Sequence, residues 1–158
     1  MPKLTFTLIG LLFLTLTSQA GTPINGLLER IDTNASRKFV IEYVKSDIDF
    51  FELDQKGKKV VIRGNNHVSI ATGIHWYLKY YAGIHLTWNN MRAKLPDVLP
   101  AVTKKERHET TLKHRYYLNY CTHSYSMAFW DWERWQQEID WMALHGINLP
   151  LTITGTAS

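Results

Sequence analysis

The fold is decided by residues 114–158, HRYYLNYCTHSYSMAFWDWERWQQEIDWMALHGINLPLTITGTAS. Their pattern predicts a strand over Arg115–Thr122, a helix over Trp130–His145 and a second strand over Ile147–Ile153. The second strand is mostly apolar, as a parallel strand covered on both faces by helices requires. Strand, helix and strand with a right-handed crossover predict a βαβ unit of either a doubly wound sheet or a (β/α)8 barrel.

The helix of this unit carries signals of its own. Asp131 is placed to cap its N-terminus, and Gly146 to end it. Apolar residues at helical spacing predict one buried stripe, made of Trp132, Trp135, Ile139 and Met142. The acidic residues between them are interpreted as a helix cap and a solvated face rather than as catalysts: Asp131, Glu133, Glu138 and Asp140.

Working outward, residues 21–109 are predicted to form a small α+β unit. Thr22 and Pro23 are an N-cap and N1 pair for a helix that ends near Asp32. Three runs rich in β-branched and aromatic residues then predict a three-stranded meander over Lys38–Val44, Asp49–Leu53 and Lys59–Arg63.

A second helix is predicted over residues 67–82, after the capping sequence Gly64-Asn65-Asn66 and before Gly83, which suits the position just past the helix. Ile84–Trp88 is predicted to be a short strand. Residues 95–109 contain two prolines and a charged run, and are interpreted as an extended linker. We therefore expect the boundary between an N-terminal domain, 21–109, and a second domain, 110–158.

The first 20 residues have the organisation of a secretory signal peptide. Lys3 precedes the apolar run Leu4–Leu16, and Ser18-Gln19-Ala20 supplies small residues for cleavage after Ala20. We expect export, periplasmic or secreted in a bacterium and secretory or lysosomal in a eukaryote. The run is shorter than the ~20 apolar residues of a membrane span, so no stable span is predicted.

Composition and motifs exclude several function classes. The net charge of +4 is scattered over the chain, which disfavours nucleic-acid binding. Phosphate-binding glycine loops, dinucleotide fingerprints and HExxH motifs do not occur in the sequence. His67 and His75 lack a third ligand and are interpreted as surface or core-edge histidines, so no metal is predicted. Cys121-x-His123 is a weak alternative for a thiol nucleophile with its base or for half a metal site.

Two long stretches carry a family resemblance. YYLNYCTHSYSMAFWDWERWQQEIDWMALHGINLPL resembles the entry into the catalytic barrel of the α-N-acetylglucosaminidases, glycoside hydrolase family 89. VVIRGNNHVSIATGIHWYLKYYAGIHLTW resembles the N-terminal domain of the same family, in the same order and spacing. The resemblance covers roughly residues 22–154.

The resemblance implies a retaining exo-hydrolase that removes terminal α-linked N-acetylglucosamine from glycans without a cofactor. Such enzymes use two carboxylates ~5 Å apart at the C-terminal ends of barrel strands. The family's first strand implies substrate-binding roles for Asn119 and Cys121, and a weaker one for Tyr125. Strand alternation agrees, since it places Asn119 and Cys121 on one face. Simple packing in the barrel interior is the alternative for both residues.

The expected fold is thus an α+β N-terminal domain followed by the first βαβ unit of a truncated (β/α)8 barrel, which needs at least ~200 residues when whole. Neither predicted strand end offers Asp or Glu, so we expect residues 1–158 to be inactive alone. A non-catalytic carbohydrate-binding or scaffold module is the alternative. The uncovered apolar face of the unit predicts aggregation, oligomer formation or partner binding.

Overall fold

The computed structural model of the chain describes residues 22–119, 121 and 125–151. The predicted signal peptide and its cleavage site lie outside these residues. So do His123 of the Cys121-x-His123 pair and the last residues of both strands predicted in the second half. Those expectations remain predictions.

The first helix, α1, spans Pro23–Ile31 and confirms the predicted capping signals. The Thr22 side chain accepts a hydrogen bond from the Asn25 N–H, and Pro23 occupies the first turn. One face of α1 is buried in the main core, through Ile24, Leu27, Leu28 and Ile31. A short 3-10 turn, Ala35–Arg37, leads from α1 into the sheet.

The sheet of the first half has four strands in the order β1, β3, β2, β4, where β1 is Phe39–Tyr43, β2 Asp49–Lys56, β3 Lys59–Gly64 and β4 Glu106–Thr110. The three strands predicted from the sequence exist, but the predicted meander is wrong. β2 and β3 form an antiparallel hairpin, whereas β1 pairs with β3 in parallel, with Phe39 opposite Val60.

The connection between β1 and β2 explains this order. Both β1 and β3 end at the same edge of the sheet, with Tyr43 opposite Gly64. Residues 44–48 are longer than a tight hairpin turn and pass over that edge, where the Val44 N–H donates to the Gly64 carbonyl at 3.0 Å. Two-residue loops favour hairpins, and this longer loop lets the chain cross one strand.

The second helix, α2, spans His67–Tyr80 and packs against β2 and β3. Its predicted caps are confirmed: the Asn66 side chain accepts from the Ser69 N–H at 2.9 Å, and Gly83 has a φ of +66°. Gly73 faces the sheet, where an added Cβ would lie 2.9 Å from Ile62 and 3.0 Å from Phe51. The absence of a side chain at this position lets the helix lie close to the strands.

Two predictions for residues 84–109 are wrong. Ile84–Trp88 is not a strand, because Thr87 and Asn90 instead close a tight turn through two backbone hydrogen bonds of 2.9 and 3.0 Å. The predicted linker, residues 95–109, is also integrated into the fold. Leu95, Leu99 and Val102 are buried in the core, and the charged end of the segment forms β4 along β2.

Tertiary contacts explain why a charged run forms an edge strand. Arg107 places its guanidinium 3.5 Å from the centroid of the Phe50 ring. His108 on the other face lies between the rings of Phe51 and Trp76, at 4.8 and 4.3 Å. The aliphatic and planar parts of these side chains therefore cover aromatic surface, which local propensity does not reveal.

The second half contains β5, Tyr116–Tyr117, then α3, Trp132–Leu144, then β6, Leu149–Pro150. β5 and β6 pair in parallel, with Tyr116 opposite Leu149, which confirms the predicted strand, helix and strand order. Both strands are much shorter than predicted within the residues described. α3 packs against α2, and Leu144 at its end is fully buried in the core of the first half.

Candidate active site

The edge where β5 and β6 end is the candidate site. In parallel strands the carboxyl ends meet at one edge of the sheet, and barrel enzymes build their sites there. The Leu151 N–H donates to the Tyr117 carbonyl at 3.1 Å, which holds the two chain segments together at this edge. Asn119 lies two residues after the end of β5.

The three residues predicted to bind substrate lie at or after the end of β5. Asn119 and Cys121 are exposed, and the Tyr125 side chain is 79% exposed. The predicted strand alternation ends early, because Leu118 has a φ of +77° and Cys121 has a helical backbone. The shared strand face that linked Asn119 to Cys121 is therefore not formed, although both residues remain beside the same strand end.

A network of polar and aromatic groups is centred on the buried side chain of Glu138. Glu138 on α3 is fully buried and accepts hydrogen bonds from the Trp88 indole N–H at 2.5 Å and from Arg134 at 3.0 Å. The Arg134 guanidinium lies 4.6 Å from the Trp88 ring and 3.9 Å from the Trp130 ring. The network thus ties α3 to the turn at residue 88 and to the residues that precede the helix.

The network also reaches β5. Burial raises the pKa of the Tyr117 hydroxyl, and the negative charge of Glu138 and a hydrogen bond to it raise that pKa further. The Tyr117 ring lies 5.2 Å from the ring of Trp141 on α3. The strand that precedes Asn119 is therefore held against α3 by one aromatic contact and one polar contact.

The predicted roles of the α3 residues need correction. Asp131 caps the helix as predicted, accepting from the Arg134 N–H at 2.9 Å. Glu138 and Asp140, however, are buried instead of solvated, and Trp132 and Ile139 of the predicted buried stripe are 69% and 47% exposed. The side of α3 that faces the first half therefore carries acids. The spacing of Arg134 and Glu138, four residues apart, was the available sequence signal.

Two ion pairs explain why acids are buried on that side. Asp140 accepts two hydrogen bonds from Arg30 of α1, at 2.5 and 2.7 Å, in the forked geometry that arginine and carboxylate favour. Glu138 has Arg134 beside it. Since unpaired buried charges are strongly destabilising, these ion pairs allow the two acids to be buried where α3 packs.

Arg115 fixes the start of the second half on the first. Its guanidinium donates to the Asp49 carboxylate and the Leu112 carbonyl, both at 2.7 Å, and to the Gly146 carbonyl. Burial opposes ionisation of Asp49, but hydrogen bonds from Asn65, Arg115 and Asn66 outweigh burial and lower the pKa of the carboxyl group. One arginine thus joins β2, the residues before β5 and the turn after α3.

Among the residues that the structure describes, no group of three or more His, Cys, Asp or Glu side chains is arranged to hold a metal ion. His67 is exposed and His75 is buried. In the same part of the chain, no helix is long and apolar enough to cross a membrane.

Models of two domains from one protein family match successive parts of the chain. The alpha-N-acetylglucosaminidase (NAGLU) N-terminal domain model matches residues 22–101, and the NAGLU TIM-barrel domain model matches residues 115–158. With the parallel βαβ unit, these matches define the class as barrel-containing glycoside hydrolases. Human alpha-N-acetylglucosaminidase is 45% identical over 112 residues, which are 70% of this chain and 15% of the human protein. The chain belongs to the α-N-acetylglucosaminidase family.

Solved structures from Clostridium perfringens agree. A GH89 protein with two Glu→Gln substitutions, in complex with its substrate GlcNAc-α-1,4-galactose, matches with a TM-score of 0.77 and 38% identity, over 82% of this chain and 15% of that chain. A family 89 glycoside hydrolase in complex with PUGNAc matches with a TM-score of 0.75 and 39% identity, over the same shares. The chain spans about 15% of the length of these relatives.

Proposed function

We propose that this chain supplies the N-terminal domain and the first βαβ unit of the catalytic barrel of an exported glycosidase that removes terminal α-linked N-acetylglucosamine with retention of configuration. The observation that carries the proposal is the succession of two family matches along one chain, with the parallel β5–β6 pair in the barrel part. We propose that the division between the two parts lies at residues 109 and 110, at the last residues of β4. Export depends on the signal sequence in residues 1–20.

The substrate-binding part of the proposal concerns Asn119, Cys121 and Tyr125. All three are exposed and follow the end of β5 in the chain, and barrel enzymes bind their substrates at the carboxyl ends of the strands. The Asn119 amide offers both a donor and an acceptor for sugar hydroxyl or acetamido groups. The Tyr125 ring offers a flat apolar face to a pyranose ring.

The catalytic carboxylates are proposed to lie outside residues 1–158. Retaining glycosidases need two carboxyl groups ~5 Å apart at the sugar. Residues 118–130, between β5 and the cap of α3, contain no Asp or Glu, and neither do residues 151–158 after β6. On α3, Glu138 is fully buried and Asp140 is held by Arg30.

The first experiment measures turnover of an aryl α-N-acetylglucosaminide. Purified residues 21–158 are expected to show none, and a product extended through the coding sequence after Ser158 is expected to show activity. Release of aryl alcohol by residues 21–158 would contradict the placement of the carboxylates. In the extended product, Asn119→Ala is expected to lower kcat/KM about 2- to 10-fold, as the loss of one hydrogen bond implies, and Asn89→Ala, in the turn of the first half, is the control.

A non-catalytic carbohydrate-binding or scaffold module is the second candidate. Exposed aromatic residues favour it, since Tyr125, Phe129 and Trp132 are 79%, 96% and 69% exposed. The coding sequence downstream of Ser158 separates the two candidates. Further strands with two strand-end glutamates support the enzyme, and their absence supports the module.

A further inference from the structure

Three histidines meet where α3 packs on α2. His75 lies in the middle of α2, His85 follows that helix, and His145 ends α3. The ring centroids of His75 and His145 are 4.4 Å apart, and those of His75 and His85 are 6.0 Å apart. His75 is 8% exposed, whereas His85 and His145 lie at the exposed edge of the cluster.

The buried member has little to stabilise a positive charge. The Nε2 atom of His75 is buried without a hydrogen-bond partner. The pKa of His75 is lowered to about 4, because burial and then the positive charges of His145, His85 and Lys79 oppose protonation, although a hydrogen bond at the Leu144 backbone favours it. Burial also lowers the pKa of His145, whose Nδ1 lies 2.8 Å from the Trp141 carbonyl oxygen.

Other charged groups near His145 are already paired. His145 borders a cavity of about 210 Å³ that is also lined by Asp49, His108, Glu109 and Arg115. Asp49 is bound by Arg115 at 2.7 Å, and Glu109 by Arg107 at 2.6 Å. The two carboxylates of this cavity are therefore committed to arginines and offer little compensation for a charge on the histidines.

We propose that His75, His85 and His145 form an acid-sensitive contact between α2 and α3, in which protonation of the cluster loosens the packing of α3. In the neutral cluster His75 stacks with His85 and lies tilted against His145, and the Trp141 ring stacks on His145 at 4.2 Å. Protonated rings at the same distances repel one another, most strongly at the buried His75, where water screens the charges least.

The free energy of unfolding depends on pH because the histidines bind protons differently in the folded and unfolded chain. A histidine whose pKa is lower in the folded protein than its ordinary 6.5 takes up its proton on unfolding. Its contribution to stability is complete above pH 6.5 and is lost as the pH falls towards about 4. For each proton involved, the unfolding equilibrium constant then rises by at most about tenfold per pH unit.

The test compares hydrogen exchange of the purified chain between pH 7 and pH 4.5, corrected for the intrinsic rate. Peptides from α3 are expected to lose protection on acidification by at least tenfold more than peptides from β2 and β3. His75→Phe keeps an aromatic ring without a titrating group and is expected to remove most of this difference. His67→Gln, on the exposed start of the same helix, is the matched control and is expected to behave as the original chain.

A second variant keeps the proposal testable if His75→Phe does not fold. His145→Asn keeps a residue suited to a helix end, and it is expected to shift the midpoint of the acid-induced loss of α3 protection to lower pH. NMR titration of the histidine ring protons in the unmodified chain reports on the cluster directly. Unchanged α3 protection down to pH 4.5, or the same acid response in His145→Asn as in the original chain, would overturn the proposal.

Discussion

The two halves of the described chain are stabilised in different ways. The first half has a four-stranded sheet and two helices around one apolar core, and its largest buried side chains include Tyr77, Leu53 and Ile74. Within its described residues, the second half has a pair of two-residue strands and the helix α3, and it is attached to the first half by ion pairs and by the buried side chain of Leu144. Because Leu144 is buried in the core of the first half and Arg115 and Asp140 form ion pairs with it, we expect the second half to depend on the first for its order.

The largest expected effect comes from a cavity in the shared core. Ile74 is fully buried on α2, the helix that packs against both the sheet and α3. Ile74→Ala is expected to lower the free energy of unfolding by about 2–5 kcal/mol, because a large buried side chain is lost and the space is only partly refilled. Urea unfolding followed by far-UV circular dichroism measures the change.

This variant also tests how far the halves depend on each other. If α3 relies on the core that contains Leu144, tryptophan fluorescence and circular dichroism should report unfolding of the destabilised chain at the same urea concentration. Ile139→Ala, at a position that is 47% exposed on α3, is the control with the same chemical change. Two separate transitions would show that the second half is stable by itself and does not depend on the core of the first half.

Sequence reasoning recovered the features that depend on neighbouring residues. The caps at Thr22, Asn66 and Asp131 and the helix-ending glycines Gly83 and Gly146 use side chains and dihedral angles within one turn. The position of each long helix follows from such signals. The family itself was predicted from the resemblance of two long stretches of sequence, and the family comparisons confirm it.

Features that depend on distant residues were not recovered. The parallel pairing of β1 with β3 requires a loop to cross a strand, and β4 exists only because β2 offers an edge and aromatic rings. Glu138 and Asp140 were assigned to solvent, since their partners Trp88 and Arg30 lie 50 and 110 residues away in the chain. The positions of Asn119, Cys121 and Tyr125 beside one strand end are described, but their roles remain predictions.

A smaller effect is expected from the contact that joins α3 to α1. Asp140→Asn keeps the size of the side chain but replaces the carboxylate, whose two oxygens accept the hydrogen bonds from Arg30, by a neutral amide. The Arg30 side chain is 39% exposed, so solvent compensates part of the loss, and we expect a decrease in stability of about 1–2 kcal/mol. Hydrogen exchange should rise in α3 more than in the sheet.

Glu133→Gln is the matched control for that substitution. Glu133 lies on the same helix, but its side chain is 84% exposed and its distance to Arg92 is 3.7 Å, so its removal should change stability by less than about 0.5 kcal/mol. Equal effects of the two substitutions would show that the buried ion pair does not distinguish the attachment of α3 from an ordinary surface contact.

The smallest effect on stability, and a separate effect on association, is expected at Phe129. Its side chain is 96% exposed beside the start of α3, near the exposed Trp132. Phe129→Ser should change the free energy of unfolding by less than about 0.5 kcal/mol, because almost no buried surface is lost.

Exposed apolar side chains such as Phe129 promote association, so sedimentation velocity should show less self-association in Phe129→Ser than in the original chain. Leu112→Ser, 65% exposed before β5, is the control. If the original chain sediments as a monomer at high concentration, the exposed apolar side chains of the second half do not cause self-association. The two halves then differ only in how each is stabilised.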